Sequence, residues 1–215
     1  MMTEEENNLV IEIGIDLMNF IGNSFDKAND ITELKSVLKG LGFEDKKDIS
    51  FDINDVYYQK KDGKNIWECK QFDPLSGGVY IFEIFFKKKT KEDFKKMWNK
   101  RASEIYEKTS ENGTTKQVKN AIPQYNEQSS ENYLYVGSHR TDINSRLKQH
   151  FGNNINSTSA LKLTDEDIKN EIGNYNITCH RFILSDDLPE YARAGYIAMI
   201  EGILHEKLKP ILGKK

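Results

Sequence analysis

Two basic side chains four residues apart, Arg146 and His150, carry the first hint of chemistry in this chain. On a helix that spacing puts them on one face. They follow a short aromatic run, Tyr133 to Val136, that stops at Gly137, Ser138, His139 and Arg140. A tyrosine strand, a glycine turn, and a helix presenting Arg and His toward that turn make a corner suited to handling phosphate. A third chemical group lies far downstream. Glu201 falls at the edge of an apolar helical stripe, where a carboxylate must be paired or bind a metal. The residues alone leave both readings of Glu201 open.

Elements must hold these groups in place, and the patterning supplies them. Asp142 offers an N-cap for a helix through Arg146 and His150, with Leu147 and Phe151 as the adjoining apolar face. Gly78 to Phe86 reads as a strand after a glycine pair, and residues 176–184 as another. Glu190 to Leu208 reads as a helix stopped by Pro210 and Gly213, with Ala194, Ile197, Ile200, Leu204 and Leu208 facing inward. Upstream, residues 7–22 lean to a helix whose apolar stripe ends at Leu17, Phe20 and Ile21. Residues 31–41 suggest a second helix, capped by Asp30. Asp62-Gly63 between two aromatic-rich runs marks a β-hairpin. Residues 87–108 predict an amphipathic helix through Phe94, Trp98, Arg101 and Ile105, and 109–131 a polar loop. Thr164 is a cap candidate for a short helix over 165–172.

The chain has 215 residues, 37% hydrophobic and 11% aromatic, enough for one large domain or a domain with an appendage. We divide it into an accessory region, 1–76, of helices and a hairpin, and a domain, 77–215, that carries the chemistry and holds a basic insertion over 87–131. No apolar run approaches the ~18–20 residues of a membrane span, and the acidic start is unlike a secretory leader. A cytoplasmic protein with no membrane partner is expected. Cys69 and Cys179 are too few and too far apart for a disulfide framework or a zinc site. The net charge of −3 is unevenly spread: residues 1–76 carry 16 acids and 9 bases (−7), leaving 18 acids and 22 bases (+4) in 77–215. Eight bases against two acids over 87–101 make either a solvated helix face or a phosphate-neutralising one.

Taken in order, several motifs resemble the GIY-YIG nucleases. They are Gly78-Val79-Tyr80, Tyr135-Val136-Gly137 followed by Ser138, Arg146 and His150-Phe151 on one helix, and a helical Glu201. That family includes homing endonucleases, some restriction enzymes and the incision domain of bacterial nucleotide-excision repair. The resemblance covers residues 77–215. It implies a fold of the α/β class (α+β type): a small three-stranded antiparallel sheet flanked by helices, here with an α/β N-terminal extension and a helical insertion. In compact family members a short turn joins the two tyrosine strands; here residues 81–134 intervene. Family members often carry an Asn beyond the catalytic Glu. None follows Glu201, and Lys209 or Lys214 is the available phosphate contact.

The resemblance implies a metal-dependent endonuclease hydrolysing DNA phosphodiester bonds, with Tyr80, Tyr135, Arg146, His150 and Glu201 as catalytic residues. Glu201 would hold one Mg2+ or Mn2+, which supplies Lewis-acid stabilisation of the phosphate. Tyr80 is the candidate general base. A phenol with a pKa of about 10 needs positive charge or a hydrogen-bonding partner for that task, and His150 and Arg140 are the candidates to help. Tyr135 would orient the attacking water, and Arg146 would clamp a phosphate oxygen. Ser138, Arg140, Lys148, Lys95 and Lys96 are expected to contact nucleic acid: DNA, with RNA left open. Double-strand cutting from one site per chain would suggest a homodimer. Plainer readings stand beside these: Tyr133 and Tyr175 as core, His139, His180 and His205 as structural, Arg140 as an exposed turn residue, His150 as a satisfied histidine. A second function also stays open, a catalytically silent nucleic-acid-binding or protein-interaction module on the same scaffold.

Overall fold

The strand from Gly78 to Phe86 has apolar side chains on both faces, which only a strand covered on both sides can bury. In the computed structural model it is the inner strand that carries Tyr80. Described are residues 4–50, 56–61, 64–69, 76–109, 112–151, 159–163, 174–185 and 188–213. In chain order the helices are α1 (Glu4–Asp26), α2 (Ile31–Gly40), α3 (Lys91–Ser103), α4 (Ile143–His150) and α5 (Glu190–Leu208). The strands are β1 (Phe43–Ser50), β2 (Val56–Lys61), β3 (Lys64–Cys69), β4 (Gly78–Phe86), β5 (Ile105–Thr109), β6 (Thr115–Lys119), β7 (Tyr133–His139) and β8 (Tyr175–Leu184). The main sheet is antiparallel, in the order β1-β8-β4-β7. The fold is therefore mixed α and β, as expected, but the sheet has four strands rather than three.

The fourth strand comes from the segment before residue 77. β1 pairs with the edge of β8 and buries only Phe43 and Ile49 among eight largely charged residues. Its pattern is that of an edge strand, with charges on the open side, and it gives little apolar signal to read. α1 and α2 also belong to the body: Ile21, Phe25, Leu34 and Leu38 pack with Ile197, Ile200 and Leu204 of α5 on one face of the sheet, beneath Val79, Ile81 and Val136. The other face carries Tyr80, Phe82 and Ile84 against Phe94 and Trp98 of α3 and Ile143 and Leu147 of α4. Each such fully buried large side chain contributes about 1.5–3 kcal/mol.

Two expectations for the insertion are corrected. The helix does not run from 87 to 108. A capping box between Thr90 and Asp93 fixes its start, and it ends at Ser103 because Ile105–Thr109 pairs with Thr115–Lys119 as a hairpin. The stretch 109–131 is thus not wholly loop; it supplies β6 and a bridge from Tyr125 to Leu212. The insertion is a helix plus a hairpin. On α1, Leu17 and Phe20 are exposed rather than inward, while Ile21 and Phe25 are buried. The β2–β3 hairpin pairs in register as expected. Its Asp62-Gly63 turn, the Thr164 cap, the helix over 165–172 and Lys214 lie outside the described residues. Among the described residues no helix is long and apolar enough to cross a membrane.

Candidate active site

Tyr80 on β4 stands opposite Gly137 on β7, and that pairing builds the site. A Cβ at position 137 would lie 2.5 Å from the Tyr80 hydroxyl and 2.9 Å from the Tyr135 ring. Only glycine leaves room for the phenol to lie across β7. Gly78, the first residue of β4, meets the same limit: a Cβ there would lie 2.0 Å from the Phe182 carbonyl oxygen. Along β7, Leu134 is an extra residue opposite Phe82 and Glu83, a bulge after which Tyr135 faces the Tyr80 side. The Tyr80 and Tyr135 rings then stack with centroids 6.3 Å apart at 23°.

α4 brings in the next two groups. Asp142 caps it by accepting from the Asn144 N–H, as the sequence suggested. Arg146 and His150 share the face turned toward the tyrosines. His150 is fully buried, its ring centroid 5.0 Å from Tyr135 and 5.5 Å from Tyr80. Its Nε2 lies 2.9 Å from the Tyr80 hydroxyl oxygen, and its Nδ1 accepts from the Leu161 N–H at 3.1 Å. Burial, and then the Arg146 charge, push His150 well below its ordinary 6.5. It is neutral at pH 7, and with Nδ1 accepting, Nε2 carries the proton and donates to Tyr80. Tyr80 itself is pushed well above 10, first by burial and then by Tyr135, with Arg146 opposing. The positive charge acting on Tyr80 comes from Arg146, not from Arg140, which is exposed just after β7. Arg146 also hydrogen-bonds Tyr135, whose phenol burial raises while Arg146 pulls it down.

Glu201 arrives from α5, which packs over the opposite face of the sheet, the side of β7 that Ser138 shares with Val136. Its carboxylate accepts from Ser138 Oγ at 2.5 Å, and its charge acts on both Tyr80 and Tyr135. Tyr80, Tyr135, Arg146 and His150 therefore come from β4, β7 and α4 into mutual contact, while Glu201, from α5, is held by Ser138 and reaches them through its charge. A groove of about 690 Å³ is lined by Glu201, His205, Glu206 and Lys209 on one side and Asn126 to Gln128 on the other; Tyr80, Tyr135, Arg146 and His150 do not line it. Among the described residues no three His, Cys, Asp or Glu side chains could hold a metal ion together. A cation here would take one carboxylate from the protein and its remaining ligands from water and phosphate, a donor set that suits Mg2+.

The expected nucleic-acid contacts are scattered. Ser138 is occupied by Glu201. Arg140, Lys148 and Lys96 are exposed. Lys95 is paired with Glu127 at 2.6 Å and lies over the Tyr125 ring. Two residues near the site have no functional role on the sequence alone, which leaves His205 structural and passes over Arg181. His205, one turn beyond Glu201, donates toward the Val136 carbonyl at 3.1 Å with its ring 6.5 Å from Tyr135; the Glu201–His205 spacing was the available signal. Arg181, buried in β8 opposite Tyr80, donates to Asn144 Oδ1 at 3.1 Å; a lone strand arginine gives no such signal. Comparisons with family models, curated proteins and solved structures find no match.

Proposed function

We propose that the chain is a metal-dependent endonuclease of the GIY-YIG kind, acting on DNA through Tyr80, Tyr135, Arg146, His150 and Glu201. The observation that carries the proposal is the contact between Tyr80 and His150, 2.9 Å, made across residues distant in sequence and flanked by Tyr135 and Arg146. Hydrolysis of a phosphodiester needs a group to take a proton from water and fixed charge for the phosphate. Tyr80 is the proton acceptor. The His150 Nε2–H stabilises its phenolate, and Arg146 favours the same anion while clamping a phosphate oxygen. Tyr135 orients the water. Glu201 holds the divalent cation, Mg2+ or Mn2+, which when bound lowers the charge on the phosphate and the leaving oxygen. Plasmid nicking with Mg2+ or Mn2+ tests the reading, with Glu201→Ala and Arg146→Ala alongside the parent. Both changes should remove cutting; parental activity that survives both sinks the mechanism.

One observation favours a second reading. Tyr80 and His150 are both fully buried, which suits a scaffold that binds nucleic acid without cutting it. DNA retention that weakens log-linearly with salt, with no nicking under either metal, would select this silent module.

A further inference from the structure

Residues 159–163 take no part in the roles above, yet they touch two of the five site residues. Ala160 to Leu163 are buried, and Lys162 adopts a left-handed φ of 49°, a conformation lysine rarely holds. The segment gives the Leu161 N–H to His150 Nδ1 (3.1 Å) and the Leu163 N–H to the His150 carbonyl (2.8 Å). It also takes the Arg146 Nη2–H on the Ser159 carbonyl at 2.5 Å. What holds this strap is the insertion. Arg101, on the last turn of α3 and 2% exposed, donates Nη1–H to the Leu161 carbonyl and Nη2–H to the Lys162 carbonyl, each at 2.9 Å. Asn120, just after β6, accepts from Lys162 Nζ at 2.9 Å. One planar guanidinium fork thus fixes two successive carbonyls, directly after the Leu161 N–H that faces His150.

We propose that Arg101 is a positioning residue: through the 159–163 strap it locks His150 as the Nε2–H tautomer facing Tyr80 and seats Arg146, so the insertion governs the site. The catalytic consequence rests on the nuclease reading; the tautomer lock does not. Without the Leu161 donor, His150 Nδ1 can take the proton, Nε2 becomes an acceptor, and the stabilising N–H to Tyr80 is lost.

The test is long-range 1H–15N spectroscopy of histidine-labelled full-length chain. His150 in the parent should give the Nε2–H pattern. Arg101→Gln should give averaged ring shifts, and Arg101→Lys, which cannot fork to two carbonyls, should restore the pattern only partly. Asn120→Ala, a change at a half-buried surface position, loosens the strap from outside and serves if Arg101→Gln does not fold; it should move the same signals. Where the parent nicks DNA, the variants should lose about 10- to 100-fold, as when a residue that orients another is removed. A single unchanged Nε2–H tautomer in the folded variants, or a different tautomer in the parent, overturns the proposal. A parent that never nicks but shows the tautomer shift defeats only the nuclease reading.

Discussion

Tyr80 is asked to lose a proton in the place where losing it is hardest. Burial and the neighbouring Tyr135 raise its phenol well above 10, and Arg146 offsets only part of this. The neutral His150 offers an N–H rather than a charge. The active, deprotonated fraction below that raised pKa grows about tenfold per pH unit. If Tyr80 is the base, nicking should therefore climb steadily from neutral to alkaline pH. Tyr80→Phe should lower it by about 10²–10⁴-fold and flatten the profile. A parent profile that is level across this range, or a Phe variant that keeps the slope, removes Tyr80 from the role. At this scale the sequence was informative about which residues meet, because glycine and tyrosine types at fixed places along β4 and β7 constrain the approach at Gly137. It was silent on protonation. The tautomer of His150 depends on a backbone N–H from Leu161, and no side-chain pattern encodes that.

Elements were legible where apolar period was strong, as in β4, β8 and α5, and illegible where charge dominates. β1 shows why. Its attachment to β8 adds ion pairs to the burial of Phe43 and Ile49: His180 of β8 lies 3.0 Å from Asp48 of β1 and 3.3 Å from Glu83 of β4, and Lys35 of α2 lies 3.1 Å from Asp48. Burial alone would lower the His180 pKa, but the two carboxylates raise it above 6.5. Burial likewise works against Asp48, yet His180 and Lys35 hold it below 3.8. The signs follow from these directions. The His180 contribution is complete below about 6.5 and fades as pH rises through its higher folded value; the Asp48 contribution fades as pH falls below 3.8. Thermal melts should give highest stability between these limits and a decline on the alkaline side that His180→Gln abolishes. An unchanged alkaline decline in that variant would mean that the loss comes from another group. The β5–β6 hairpin was hidden for a related reason: apart from Ile105, Tyr106 and Val118 its strands are Lys, Gln, Thr and Glu, with almost no apolar alternation.

At the scale of the whole molecule, the acidic first third and the basic remainder do not divide into two separate cores. The charge balance of −7 before residue 77 was readable, but its strand β1 completes the main sheet and its helices pack against α5. On α1 only a short stretch takes part. Phe25 is 0% exposed and Ile21 1%, whereas Phe20 is 64% and Leu17 51% exposed on the same helix. An apolar stripe drawn from spacing alone merged these two sets, since period cannot tell where along a helix the body of the protein begins. The distinction has a measurable consequence. Phe25→Ala should destabilise the chain by about 3–5 kcal/mol, the cost of an aromatic lost from a packed core. Phe20→Ser and Leu17→Ser should change it by no more than about 0.5 kcal/mol, as exposed substitutions do. Denaturant midpoints measured at one fixed pH decide this, since pH moves the His180 contribution independently. Equal losses at positions 20 and 25 would mean that α1 is covered along its length in solution, and that its share of the joint is longer than Ile21 and Phe25.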